Sequence, residues 1–197
     1  RFPQQSSAAP PAPLPAAPRV AVTARAEAAI EEEKEKFTVT RIELDRARRS
    51  ALVGFGAQMT ILEDYDPSLP PTYVDPDQLM QVFLNLLKNA SEAAGSKGGT
   101  IRLRTFYDHA LRRRRKDGTN AALPLQIEIS DDGPGIPPEI AADIFEPFVS
   151  GRENGTGLGL ALVSKIISDH EGWISVDSAP GRTVFRLSLP LAPRETI

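Results

Sequence analysis

The stretch "DPDQLMQVFLNLLKNASEAAG", residues 75–95, constrains the fold more than any other part of the chain. At roughly 100° per residue, Leu79, Val82, Phe83, Leu86, Leu87 and Ala90 fall on one broad apolar stripe. A helix with so wide a stripe must lie flat on a core built by other elements. Its ends are written locally. Asp75 can cap the free N–H groups, Pro76 suits the first helical position, and Gly95 can stop the helix. Gln78, Asn85 and Asn89 cluster on one flank of the stripe. Asn85 and Asn89 are four residues apart, so their amides share a face, although asparagine is a poor residue for a helix interior. They are either plain surface residues or two carbonyl oxygens lining a pocket. In the second case an oxygen-seeking cation such as Mg²⁺ would sit there, between protein and phosphates.

Other elements supply the core. Residues 41–54 read as a helix and "MTILEDY" as a strand. The strands "TIRLRTFY" and "LPLQIEIS" follow, joined by a basic loop, and then a short helix "PEIAADIF". A helix from about Leu158 to His170 precedes two closing strands, "WISVDSA" and "TVFRLSLP". Consecutive strand pairs imply antiparallel neighbours. The expected class is therefore α+β: an α/β sandwich with one mixed, mostly antiparallel sheet backed by helices. This domain is expected over residues 41–191. Residues 1–21 are Pro/Ala-rich and read as a disordered linker, residues 22–40 as a charged weak helix or linker, and 192–197 as a tail.

Net charge is −3, so there is no global electrostatic case for nucleic acid or an anionic membrane. The absence of cysteine excludes disulfides and thiolate metal sites and fits a cytoplasmic location. No apolar run approaches the roughly 20 residues of a membrane span. The chain begins at Arg1 rather than Met and is expected to be a fragment.

Two further stretches carry chemistry. In "DDGPGIP", Asp131 ends an apolar strand and is followed by Gly133 and Gly135. A carboxylate at the floor of such a turn can accept a hydrogen bond from an exocyclic amine; the alternative is an ordinary Asx turn. In "NGTGLGL", Gly155, Gly157 and Gly159 lead into a helix whose free N–H groups suit phosphate, and Arg152 just upstream suits a phosphate clamp. The spacing fits neither a dinucleotide fingerprint nor a P-loop.

Taken in order, "NLLKNASEA", "DDGPGIP", "FEPF" and "GTGLGL" resemble the N, G1, F and G2 boxes of the histidine-kinase branch of the GHKL ATPases, and "SAPGRTVFRLSLP" resembles their closing G3 region. The resemblance covers residues 41–190 and is most specific toward the NtrB-like sensor kinases of nitrogen regulation. It implies a GHKL (Bergerat) sandwich with a mobile ATP lid from Phe145 to Gly159, and it implies ATP and Mg²⁺. Asn89 would coordinate the metal with Asn85 beside it. Asp131 would bind the adenine amine in a pocket shaped by Gly133, Gly135, Ile136 and Thr183. Phe145, Phe148, Arg152, Gly155, Thr156, Gly157, Leu158 and Gly159 would contact nucleotide from the lid, with Asn85, Asn89 and Arg152 as the catalytic residues. The phosphate would pass to a histidine on a dimerisation hairpin, then to an NtrC-type response regulator. A PII signal protein is a further implied partner.

The sequence departs from this pattern twice. The family commonly has Asn where Asp132 stands, so Asp132 is given no binding role. Neither of the two histidines, His109 and His170, sits in an acceptor motif, so the acceptor hairpin is expected elsewhere. Two other readings stay open: a non-catalytic ATP-binding regulatory module, and a GHKL ATPase that hydrolyses ATP directly. The latter branch typically carries a carboxylate at the Asn85 position, and an amide cannot act as general base. The basic run Arg112–Lys116 reads as a solvated loop or as a docking patch for an acidic partner.

Overall fold

In the computed structural model, residues 40–70, 72, 74–95, 98–114, 118–151 and 155–192 are described. The linker 1–21, most of the segment 22–40, Arg152, Arg115 and Lys116, and the tail beyond Ala192 lie outside these residues.

The chain runs α1 (Thr40–Val53), β1 (Thr60–Tyr65), α2 (Pro76–Ala94), β2 (Thr100–Tyr107), β3 (Arg112–Arg114), β4 (Asn120–Ala122), β5 (Leu125–Asp131), α3 (Pro138–Ala141), α4 (Gly159–Asp169), β6 (Trp173–Ala179) and β7 (Arg182–Leu189). Five strands form one sheet in the order β1-β2-β5-β7-β6. Only β1 and β2 are parallel; the other three pairings are antiparallel. The parallel pair is bridged by α2, because parallel neighbours need a long crossover. The α/β sandwich expected from the sequence is therefore the observed fold.

The core forms where the stripe of α2 meets alternate residues of the sheet. Leu79, Val82, Phe83, Leu86 and Leu87 join Ile101, Leu103, Ile127, Ile129, Leu187 and the α4 residues Val163 and Ile167 in one buried cluster. Each fully buried aliphatic side chain contributes about 1.5–3 kcal/mol relative to exposure. The central strand β5 alternates between core and outer face, and its Asp131 end reaches the cleft described below.

The ends of α2 fall where the sequence puts them. The Asp75 carboxylate accepts from the N–H groups of Asp77 and Gln78 at 2.9 and 3.0 Å. These bonds, the one from Gln78 foremost, hold its carboxyl below the ordinary value. Asp75→Ala is expected to cost about 1 kcal/mol of stability. Because the folded-state pKa is lowered, this contribution is complete above the ordinary carboxylate pKa of about 4 and fades as pH falls through the lowered value. Urea melts of both proteins should therefore differ at neutral pH and converge in acid.

Two expectations need correction. The basic connection after β2 is not an irregular loop: Arg112–Arg114 pairs with Asn120–Ala122 as a hairpin. Its stabilising contact is remote in sequence, the Arg113 guanidinium lying 3.3 Å over the Trp173 ring. The helix expected over "PEIAADIF" is a single turn, Pro138–Ala141, with no side-chain cap. Beyond it the backbone makes tight three-residue bonds, Asp143 N–H to Ile140 O and Glu146 N–H to Asp143 O. So short a segment gains too few bonds to offset helix nucleation.

Candidate functional site: a cleft between two helices

The geometry starts from Asn85. Its amide nitrogen donates to the Gln81 carbonyl one turn back, at 3.0 Å. That leaves the side-chain oxygen facing α4: a methyl placed on Gly159 would lie 3.4 Å from it. A larger residue at 159 would crowd the first turn of α4 onto this amide.

That first turn has the features that suit an anion. Leu158 precedes α4 without any side-chain cap, and the first turn holds no acidic residue. Its N–H groups and the positive end of the helix dipole are left for a ligand. Gly157 has φ +66° and packs on the Phe148 backbone, with Phe148 N–H donating to its carbonyl at 3.0 Å. The two ends of the segment between them are thereby pinned together.

At the other end of the cleft, Asp131 is 6% exposed. Its Oδ1 accepts from Gly133 N–H at 3.0 Å. A methyl on Gly133 would meet the Ala93 methyl of α2 at 2.9 Å, so the turn abuts the C-terminal half of that helix. Gly135, at φ +88°, brings the same turn against the Ala179 carbonyl of the β6–β7 hairpin. Thr183 pairs with Asp131 across the β5–β7 ladder. Its hydroxyl bonds the Ser178 hydroxyl at 3.1 Å, which accepts from Ile136 N–H at 2.9 Å. The carboxylate wall is thus backed by a fixed polar network.

These elements enclose a cavity of 590 Å³, within the usual range for small-molecule sites. Asn85, Asn89, Asp131, Gly135, Ile136, Gly155, Thr156, Gly157, Gly159 and Thr183 all line it. Gly133 stands behind the lining. Phe145 stacks edge-on against Phe185, a lining residue, with ring centroids 6.4 Å apart. Phe148 and Leu158 do not line the cavity: Phe148 is 78% exposed at φ +68°, and Leu158 faces a neighbouring groove. Sequence reasoning missed Lys88, Glu92 and Ala93, which also line it. The signal was present, since 88, 89 and 92 stand three, four and seven residues after Asn85.

Asp132 has a different task. Both its oxygens accept from Thr100 N–H at 3.0 Å, fixing the start of β2. His170 is likewise committed. Its Nδ1 donates to Ile166 O at 2.8 Å, and its Nε2 accepts from Asp75 N–H at 3.0 Å. His109 stacks on Tyr107, with ring centroids 4.4 Å apart, and is not among the cavity's lining residues.

Residues 74–193 match the family described as histidine kinase-, DNA gyrase B- and HSP90-like ATPases. The chain belongs to this family. It holds an ATP-binding catalytic domain of the NtrB-like histidine-kinase type. The sensory histidine kinase/phosphatase NtrB of Rhodobacter capsulatus is 78% identical over 152 residues, 77% of this chain and 42% of that protein. The NtrB of Azospirillum brasilense is 50% identical over 149 residues, 75% of this chain and 37% of that protein. The chain thus spans about two fifths of these curated relatives' length. Among solved structures, the mycobacterial sensor histidine kinase MprB superposes with a TM-score of 0.60 at 26% identity, covering 77% of this chain and 94% of that one. Full-length ShkA in complex with AMPPNP gives 0.62 at 25% identity, covering 80% and 32%. No helix among the described residues is long and apolar enough to cross a membrane.

Proposed function

We propose that this ATPase-family domain binds Mg²⁺·ATP and donates the γ-phosphoryl group to a histidine on a dimerisation hairpin, with onward transfer to an NtrC-type response regulator. One observation carries the reading: a buried carboxylate and an uncapped helix N-terminus stand at opposite ends of one cleft, with two asparagines on the helix between them. Asp131 would accept from the adenine amine, while the α4 N–H groups face the phosphates. The amide oxygens of Asn85 and Asn89 are hard neutral donors of the kind Mg²⁺ takes alongside phosphate oxygens. The metal would supply charge neutralisation; what the chain supplies is position. In the transfer the acceptor nitrogen forms a bond to the γ-phosphorus, the bond to the β,γ-bridging oxygen breaks, and ADP leaves. Arg152 is assigned a clamp role on the phosphates from its place in the sequence.

The acceptor would approach over the apolar groove beside the phosphate end, lined by Phe145, Pro147, Leu158, Ala161 and Leu162. The relatives' names and the analogue bound to ShkA support the kinase reading. A cytoplasmic location, where ATP is available, goes with it, and a PII-type protein is a candidate regulator.

The test mixes this chain with γ-labelled ATP and a related kinase whose own ATP site is disabled but whose hairpin is intact. Acid-labile, alkali-stable label is expected on the partner alone. Such label on this chain alone would overturn the assignment of His170 and His109 as non-acceptors. Free phosphate without labelled protein would favour direct hydrolysis. Bound ATP with neither product would favour a regulatory module.

A further inference from the structure

The two helix ends of the cleft fix its polarity. Gly159 abuts α2 at Asn85, and Gly133 abuts it at Ala93, eight residues on. That separation is about 12 Å along the helix axis. Asn85 therefore marks the phosphate end and Ala93 the base end.

Lys88 lies on this ruler about 4.5 Å from Asn85, one residue short of Asn89. It lines the cleft, and its side chain is 59% exposed. In the structure the ammonium is turned toward Glu92, but the Lys88 stem is long, flexible and solvated, and a rotamer change toward the helix N-terminus would bring the ammonium to Asn85 and the first turn of α4. Its partner is Glu92, at 3.8 Å. That pairing is weak on three counts. The distance is long, both groups are solvated, and lysine N-terminal to glutamate is the poorer order for an i,i+4 pair. Glu92 sits about 6 Å further toward the base end. Lys88 and Glu92 are the charged groups that α2 presents to the cavity.

We propose that Lys88 is a phosphate-binding residue of this cleft, exchanging Glu92 for the phosphate chain when nucleotide enters. A polyphosphate carries more negative charge than one carboxylate and would lie within reach of the flexible lysine stem. Glu92 then acts as a competitor for Lys88 and as a like charge near the phosphates. This rests on the ATP-binding reading above.

Calorimetry with Mg²⁺·ATP, Mg²⁺·ADP and adenosine tests it on the wild type, Lys88→Met and Glu92→Gln. Both sites are exposed enough to accept substitution. Lys88→Met is expected to weaken ATP binding on the order of tenfold and leave adenosine binding unchanged. Glu92→Gln is expected to tighten ATP binding a few-fold, a sign that no loss of structure would give. Unchanged ATP affinity in Lys88→Met overturns the proposal. So does equal loss for ATP and adenosine, which would mark a structural residue. A wild-type protein that binds adenosine and ATP equally overturns the phosphate polarity of the cleft, and Lys88's role with it. A wild-type protein that binds neither overturns the ATP-binding reading itself.

Discussion

Asp131→Asn is expected to lower ATP affinity by about 1.5–3 kcal/mol, roughly 10- to 150-fold, and to erode any preference for adenine over guanine. The carboxylate is 6% exposed, so little water competes for it. One oxygen is held by Gly133 N–H at 3.0 Å, and that bond survives in asparagine. The turn should therefore keep its shape. Asparagine's nitrogen would take the place of the other oxygen and confront the adenine amine, donor against donor. Guanine reverses the pattern, because its carbonyl repels a carboxylate but accepts from an amide. Titration of both proteins with ATP and GTP checks this. A wild-type protein with equal affinity for the two nucleotides would remove Asp131 as the base reader.

How far the chain could be read depended on where each signal was stored. The helix α2 was legible to the residue because its terminators are local: Asp75 caps it, Pro76 opens it, and Gly95 closes it. The pairing of β1 with β2 was not, since nothing in "MTILEDY" states which strand it will meet or in which direction. The β3–β4 hairpin was hidden for a related reason. Three exposed arginines show no strand alternation, and the Arg113–Trp173 contact spans sixty residues of sequence. The cleft was largely legible because its demands fall on backbone geometry, which only glycine meets at Gly135 and Gly157. Asn85 and Asn89 stood out as poor helix formers on an otherwise strong helix. Lys88 and Glu92 did not, because a lysine and a glutamate one turn apart are what any solvated helix face carries. Phe148 and Leu158 belong to the same sequence motif as the lining glycines. A left-handed backbone at Phe148 sends that ring to solvent, and Leu158 turns toward the outer groove.

Gly157→Ala is expected to cut phosphotransfer to a supplied acceptor on the order of 10²-fold while leaving the core folded. Two penalties coincide at this residue. Its φ of +66° is strained for any side chain, and an added methyl would lie 2.6 Å from the Phe148 Cα and 2.7 Å from the Val149 nitrogen. Those atoms are backbone and cannot rotate away. The contact they form closes the segment between Phe148 and Gly157, so relief must come by moving that segment or the first turn of α4 beside Asn85. Either shift displaces the N–H groups proposed to hold the phosphates, and a misplacement of about 1 Å at a reacting centre costs on this scale. The buried cluster contains neither residue, so the core should still unfold cooperatively, at a stability lowered by the strain. Gly95→Ala separates the two causes. It has a similar φ, +69°, but nothing within 4 Å of an added methyl. Strain alone there, at ψ −164° in a region nearly reserved for glycine, should cost about 1–3 kcal/mol of stability and leave transfer intact. If both variants lost transfer equally, the packing of Gly157 on Phe148 would not be what sets the phosphate end of the cleft.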